Sequence, residues 1–211
     1  MSETRESLEV KLKDIIGSSV QECHALYEAV LSTAHLNGAV VEIGCLYGRT
    51  SIPICLAAKE IGTKSTHIDY LFQYPDLETC RLGGYDKYPS PDNLNDAMLK
   101  STHLQIFGNF IKNDLFDDAI FIASKSEQAR EIWEKEIRFL FIDADHSYEG
   151  VKKDYELFAP FLVEGGILAL HDVDEAGHPG VVRFFNELMS TGKFQIVYNG
   201  QGTSLRILRS K

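Results

Sequence analysis

The stretch Arg138-Phe-Leu-Phe-Ile-Asp-Ala-Asp-His146 runs through four apolar residues and then delivers Asp143, Asp145 and His146 within four positions. Carboxylates and an imidazole so closely spaced can hold a cation or move a proton. A second run, Ile167-Leu-Ala-Leu-His-Asp-Val173, ends the same way in His171 and Asp172. Neighbouring strands that bring carboxylates to one sheet edge create a place where a divalent cation keeps both ionised, since like charges otherwise raise one pKa. Asp174 and Glu175, just beyond, are expected in solvent. The plainer alternative for the first run is that Asp145 or Ser147 caps the following helix, which needs one small polar residue and leaves the other two groups unexplained.

Both runs read as parallel strands covered on both faces, whose ligands bind beyond the carboxyl ends. Upstream, Ala39-Val-Val-Glu-Ile-Gly-Cys-Leu-Tyr-Gly-Arg-Thr-Ser51 is a β-branched run, a glycine turn and the start of a helix over 52–61. Glycines allow close backbone approach, and free amides at the helix start face the ligand, so this is either a nucleotide-type cradle or an ordinary strand-to-helix turn. The spacing Gly44-x-x-x-Gly48 lacks the third glycine of a dinucleotide fingerprint. Glu42, two residues before Gly44, would repel a pyrophosphate but could pair with a cationic amino-acid head group. Thr66-His-Ile-Asp-Tyr70 predicts the next strand, with Asp69 about where Rossmann-type folds place the acid that binds ribose hydroxyls. An exposed loop aspartate is the alternative there.

Helical spacing over 5–16 and 19–35 gives an N-terminal extension, residues 1–37, which covers the sheet edge or meets a second subunit. The α/β domain spans 38–211. Within it, residues 71–92 form a long irregular connection with Phe72, Tyr74, Tyr85 and Tyr88, expected as a lid or acceptor-binding loop, or as aromatics that pack the loop down. Helices are expected over 93–113, from Ser124, over 148–161 and over 180–189, and a strand over 119–123. Glu164-Gly-Gly166 predicts a turn. Asn199-Gly-Gln-Gly202 between two strand-like runs, 194–198 and 204–208, predicts an antiparallel hairpin.

At 211 residues the chain can bury one sizeable core, and 44% hydrophobic with 25% charged residues is an ordinary globular composition. A net charge of -10 argues against nucleic acid as partner and for a small-molecule substrate. No signal-peptide core or membrane-length apolar run is present, so no membrane partner and a cytoplasmic location are expected. Cys23, Cys45, Cys55 and Cys80 show no Cys-x-x-Cys pairing and read as reduced structural thiols.

Taken together, Glu42-x-Gly44-x-x-x-Gly48, Asp69 and the terminal hairpin resemble the class I S-adenosylmethionine-dependent methyltransferases over about residues 38–208. Phe141-Ile-Asp143-Ala-Asp145-His146-Ser-Tyr148-Glu-Gly, with Gly165-Gly166 and His171-Asp172, resembles their metal-dependent O-methyltransferase branch, of the macrocin, macrolide-sugar and cephalosporin hydroxylase-like type. The resemblance implies a Rossmann-like seven-stranded sheet, mostly parallel with the last strand antiparallel, and helices on both faces. It implies S-adenosylmethionine bound by Glu42, Gly44, Cys45, Tyr47, Gly48, Thr50, Ser51, Asp69 and Asp143, with Ser126 or Glu127 bordering the adenine. A divalent metal, magnesium or manganese, would be held by Asp143, Asp172 and His171. His171 stands where a relative has a carboxylate, and imidazole suits zinc, manganese or iron better than magnesium. His146, or Asp145, would be the base for O-methylation of a small-molecule hydroxyl, on a sugar or natural product. A magnesium-dependent phosphohydrolase using Asp143 and Asp145, and a non-catalytic S-adenosylmethionine-binding module, are the rival readings; a homodimer or higher oligomer is the expected assembly.

Overall fold

Val40 and Val41, adjacent in β1 (Ala39–Ile43), are both fully buried but belong to different cores, and so do Phe139 and Leu140 in β4 (Ile137–Ile142). Period-two alternation with both sets apolar is what a strand covered on two faces requires. In this computed structural model, which describes residues 4–70, 102–174, 176–200 and 202–211, the remaining strands are β2 (Ser65–Ile68), β3 (Ala119–Ile122), β5 (Leu162–Leu170), β6 (Phe194–Asn199) and β7 (Arg206–Ser210). Seven strands form one sheet in the order β3-β2-β1-β4-β5-β7-β6. β7 pairs antiparallel with both β5 and β6, and every other pairing is parallel, so β7 alone is reversed. The hairpin expected from Asn199-Gly200 is present, with Asn199 opposite Arg206.

One face carries α1 (Arg5–Leu12), α2 (Val20–Leu31), α3 (Ser51–Glu60) and α4 (Thr102–Lys112); the other carries α5 (Ser126–Glu131), α6 (Tyr148–Phe158) and α7 (Pro179–Ser190). The N-terminal helices therefore cover a face of the sheet rather than its edge. Leu8, Leu12, Leu26, Tyr27 and Val30 are fully buried there, in one core with Ile52, Ile54 and Phe141. Each such side chain contributes about 1.5–3 kcal/mol by leaving water, so α1 and α2 are integral to the fold. Ser19 caps α2, accepting from the Glu22 amide at 3.2 Å while Glu22 Oε2 accepts from the Ser19 amide at 2.9 Å.

The predicted turn at Glu164-Gly-Gly166 lies inside β5 as a register irregularity: Ile137 pairs with Leu162, whereas Phe139 pairs with Ile167. Cys23, Cys45 and Cys55 are buried free thiols, and burial pushes those of Cys23 and Cys55 up to about 12, which keeps them unreactive. The expected lid at 71–92, with Phe72, Tyr74, Tyr85 and Tyr88, lies outside the described residues, as do Cys80, Glu175 and the first part of the helix expected over 93–113. Among the described residues no helix is long and apolar enough to cross a membrane.

Candidate active site

The central strands end in a staircase. The carbonyls of Ile43, Ile68, Ile122 and Ile142 accept hydrogen bonds from the amides of Asp143, Gly44, Asp69 and His171, respectively. Gly44, Asp69, Asp143 and His171 are thus each the first residue beyond their strands, on one edge of the sheet. That places the glycine turn beside the carboxylates. Gly44 has φ +87°, and a Cβ there would lie 2.2 Å from the Asp143 carbonyl oxygen, so no other residue fits without moving the backbone.

Asp69 Oδ2 accepts from the amides of Cys45 (2.7 Å) and Leu46 (3.1 Å), so the acid expected to face a ribose also pins the glycine loop. Tyr47 contributes its carbonyl to the side-chain amide of Asn109 on α4 at 2.9 Å, and Gly48 is packed against Ile106. Glu42 is fully buried, and both its oxygens are engaged: Oε1 accepts from Thr50 Oγ1 at 2.6 Å and Oε2 meets His67 Nδ1 at 2.7 Å. His67 Nε2 in turn lies 2.7 Å from Ser65 Oγ. The direct pairing of Glu42 with a ligand head group is therefore not what this geometry offers. Its carboxylate is a strut that ties the start of α3 to β1 and β2, with Ser51 buried at that start. Among the described residues the amides of Arg49 and Thr50 meet no backbone acceptor, the arrangement that makes a helix N-terminus receptive to a polar ligand.

Three histidines and four carboxylates gather past β4 and β5. His171 Nδ1 lies 3.1 Å from Asp172 Oδ1 and 3.4 Å from Asp143 Oδ1, while its Nε2 lies 3.4 Å from Glu22 Oε1 and 3.3 Å from Ser18 Oγ. His146 Nε2 lies 3.0 Å from Asp172 Oδ2 and 3.7 Å from Asp143 Oδ1. His178 Nδ1 meets Asp174 Oδ2 at 3.0 Å and Asp172 Oδ1 at 3.5 Å. Asp172 has φ +57°, the left-handed region that a non-glycine residue occupies at an energetic cost and most often at functional sites.

The electrostatics follow from this crowding. Burial alone would lower the His171 pKa, but hydrogen bonds with Asp143, Asp172 and Glu22 outweigh it and carry it to about 12. Burial likewise opposes ionisation of Glu22, yet His171 and the Ser19 amide bring it down to about 2. The Asp143 carboxylate, against a smaller effect of burial, raises His146 above the usual histidine value, and Asp172 adds to the rise. In the ion-free protein His171 is therefore an imidazolium bridging three carboxylates.

A family model described as a methyltransferase domain (Methyltransf_24) matches residues 41–173, more than half of the chain. The chain belongs to this family. Solved structures share the methyltransferase's fold at low identity. They include the O-methyltransferase NovP (15% identical, TM-score 0.65, 92% of this chain and 81% of that one). The calicheamicin methyltransferase CalS11 is 16% identical at TM-score 0.63 over 98% and 80% of the two chains. An O-methyltransferase from Bacillus cereus in complex with SAH is 13% identical at 0.64 over 99% and 92%.

Asp145, expected beside His146 in the site of this methyltransferase, is engaged at the start of α6. Asp145 is exposed, and its Oδ1 accepts from the Ser147 amide at 2.8 Å, while Ser147 Oγ caps α6 by accepting from the Gly150 amide at 3.0 Å. The capping alternative holds for Ser147, with Asp145 bracing the cap residue, whereas Asp143 and His146 turn to the cluster. Ser126, expected with Glu127 to border the adenine, donates its hydroxyl to the buried carboxyl of Asp154 on α6, and Glu127 pairs with Lys153.

Glu22, Ser18, His67, Arg49 and Asp174 were not anticipated at the site. Only Glu22 carried a local signal, the Ser19-x-x-Glu22 capping box, and that signal speaks of a helix start. Arg49, next to Gly48, donates to the carbonyls of Leu12, Ile15 and Ser18, stapling the α1–α2 connection to the glycine loop.

The donors fit a divalent cation. Asp143, His171 and Asp172 each offer a ligand atom within 4.8 Å of the others, a mixed oxygen and nitrogen set that suits manganese or zinc as readily as magnesium. Coordination by His171 requires loss of the proton it carries in the ion-free state.

Proposed function

We propose that this methyltransferase moves the methyl group of S-adenosylmethionine to a hydroxyl oxygen of a small molecule, with a divalent cation at Asp143, His171 and Asp172 and with His146 as base. The observation that carries the reading is the juxtaposition of the Gly44 turn with Asp143, where a cofactor loop and a cluster of proton and cation ligands share one strand edge. Structural neighbours favour a hydroxyl acceptor: one is described as a TDP-rhamnose 3'-O-methyltransferase of calicheamicin biosynthesis, another as the O-methyltransferase TomG of tomaymycin synthesis in complex with SAM. A sugar or natural-product hydroxyl is the acceptor class to try first.

S-adenosylmethionine supplies an electrophilic methyl group, and a divalent cation supplies Lewis-acid polarisation of an acceptor oxygen. The chain's own groups do the remaining work. Residues 44–51 and Asp69 hold the cofactor, with the Glu42–Thr50 strut fixing the loop. His146 takes the acceptor's hydroxyl proton on its ring, and Asp172 and Asp143 stabilise the imidazolium that results. Positioning on rigid strand ends supplies much of the rate.

The test is methyl transfer from labelled S-adenosylmethionine to a panel of sugar nucleotides and vicinal diols, in manganese or magnesium and then in chelator. Transfer that chelator abolishes and added metal restores is expected. S-adenosylhomocysteine binding without transfer to any acceptor would leave only a binding module.

A further inference from the structure

Gly180, in the first turn of α7, lies against the backbone that carries His146. A Cβ at that position would stand 2.6 Å from the Tyr148 amide nitrogen, 2.9 Å from the His146 carbonyl oxygen and 3.0 Å from the Ser147 carbonyl carbon. All three are backbone atoms, so no side chain can swing aside to make room. Ordinary van der Waals contact needs about 3.5 Å, and any other residue at 180 therefore forces the two segments about 1 Å apart.

Both segments are anchored. On the α7 side Pro179 precedes the glycine, the amides of Val181 and Val182 bond the His178 carbonyl, and Val181, Phe184 and Leu188 are buried in the core. On the other side the Asp143 amide bonds the Ile43 carbonyl, and Ser147 Oγ caps α6 through the Gly150 amide. His146 stands between these two anchors, so a push from position 180 is passed to it. Its ring has a support of its own: it meets the His178 ring edge-on, with centroids 4.5 Å apart and 69° between the planes. His178 Nδ1 is held by Asp174 Oδ2 at 3.0 Å, and Asp174 Oδ1 accepts the Gly177 amide at 2.6 Å. The His178 ring is thus a fixed wall beside the His146 ring, and catalytic groups need packing of this kind to be held to about 0.5 Å.

We propose that the start of α7 positions the base: Gly180 sets where the His146 backbone lies, and the His178 ring sets where the His146 ring points. This positioning rests on the reading of His146 as base. A reacting group misplaced by about 1 Å loses on the order of a hundredfold in rate.

The experiment measures single-turnover methyl transfer by the full chain to the sugar nucleotide or diol that the panel above identifies, with S-adenosylmethionine and metal saturating, alongside S-adenosylhomocysteine affinity and thermal melts. Gly180→Ala is compared with Gly192→Ala, just past the other end of α7, where φ is +68° and a Cβ meets nothing within 4 Å. Both substitutions should lower the melting temperature, but only Gly180→Ala should slow transfer, by about tenfold to a hundredfold, with S-adenosylhomocysteine affinity unchanged. Made on top of His146→Ala, Gly180→Ala should slow transfer no further, the signature of one residue acting through another. His178→Ala should slow transfer on the order of tenfold, and His178→Phe, which keeps a ring edge, should recover most of that loss. A wild-type rate in folded Gly180→Ala, or an equal further loss on the His146→Ala background, overturns the positioning by Gly180. A wild-type rate in His178→Ala, or no recovery in His178→Phe, overturns the wall, and this pair decides the matter should Gly180→Ala not fold. A wild-type rate in His146→Ala instead overturns the base itself.

Discussion

Glu22 Oε1, on the second helix, lies 3.4 Å from His171 Nε2 at the end of β5. An N-terminal helix thus places a carboxylate behind a proposed metal ligand, while the other oxygen of the same carboxylate closes the helix cap. Glu22→Gln keeps the shape and removes the charge. Manganese affinity, followed by isothermal titration, should drop roughly tenfold to a hundredfold, as for other outer-shell carboxylates. Unchanged affinity would reduce Glu22 to a capping residue.

The same pair makes the metal-free protein sensitive to pH. His171 is at about 12 in the folded state against an ordinary 6.5. Its contribution is complete below pH 6.5 and is lost progressively as pH rises from there toward 12. Glu22 is at about 2 against 4.5, so its contribution is complete above pH 4.5 and is lost as pH falls toward 2. Melting temperature in chelator should therefore decline on the alkaline side of 6.5, and His171→Gln should flatten that decline. Equal alkaline slopes in the two proteins would contradict the bridge.

His67→Leu should strip Glu42 of a partner in a fully buried place. Leaving a buried carboxylate short of its partner costs about 3–5 kcal/mol, or about 10 °C in melting temperature for a chain of this size. A thermal melt distinguishes this from a surface histidine, whose loss changes little.

Much of the site was legible because it is local. Asp143 stands directly after one apolar run and His171-Asp172 directly after another, and Gly44 sits at a strand-to-helix turn, so period and punctuation alone located them. Glu22, His67 and Arg49 were not legible for the opposite reason: their partners, His171, Glu42 and the Ser18 carbonyl, are distant in sequence, and no local pattern encodes such contacts. Asp145 is ambiguous in sequence because small polar groups after a strand serve helix starts and ligands equally well. The N-terminal helices were readable as amphipathic, but amphipathicity does not say which apolar surface they meet.

Arg49→Ala removes the donor to the carbonyls of Leu12, Ile15 and Ser18. Hydrogen bonds from a charged group are worth about 1.5–3 kcal/mol each, so local protection should fall by at least about 3 kcal/mol. Amide hydrogen exchange over residues 5–31 should accelerate selectively, while the amides of β4 keep their protection. Uniform exchange across both regions would mean that the staple carries nothing.

The most direct test of the account is the single-turnover rate of methyl transfer by wild type, Asp143→Asn and His146→Ala on an accepted hydroxyl, with S-adenosylmethionine and metal saturating. Removing a general base costs about 10²–10⁴-fold, so His146→Ala should be slowed by at least a hundredfold with its S-adenosylhomocysteine affinity intact, and Asp143→Asn should lose its response to added metal. Rates equal to wild type in both variants would contradict a metal-and-base mechanism at this strand edge.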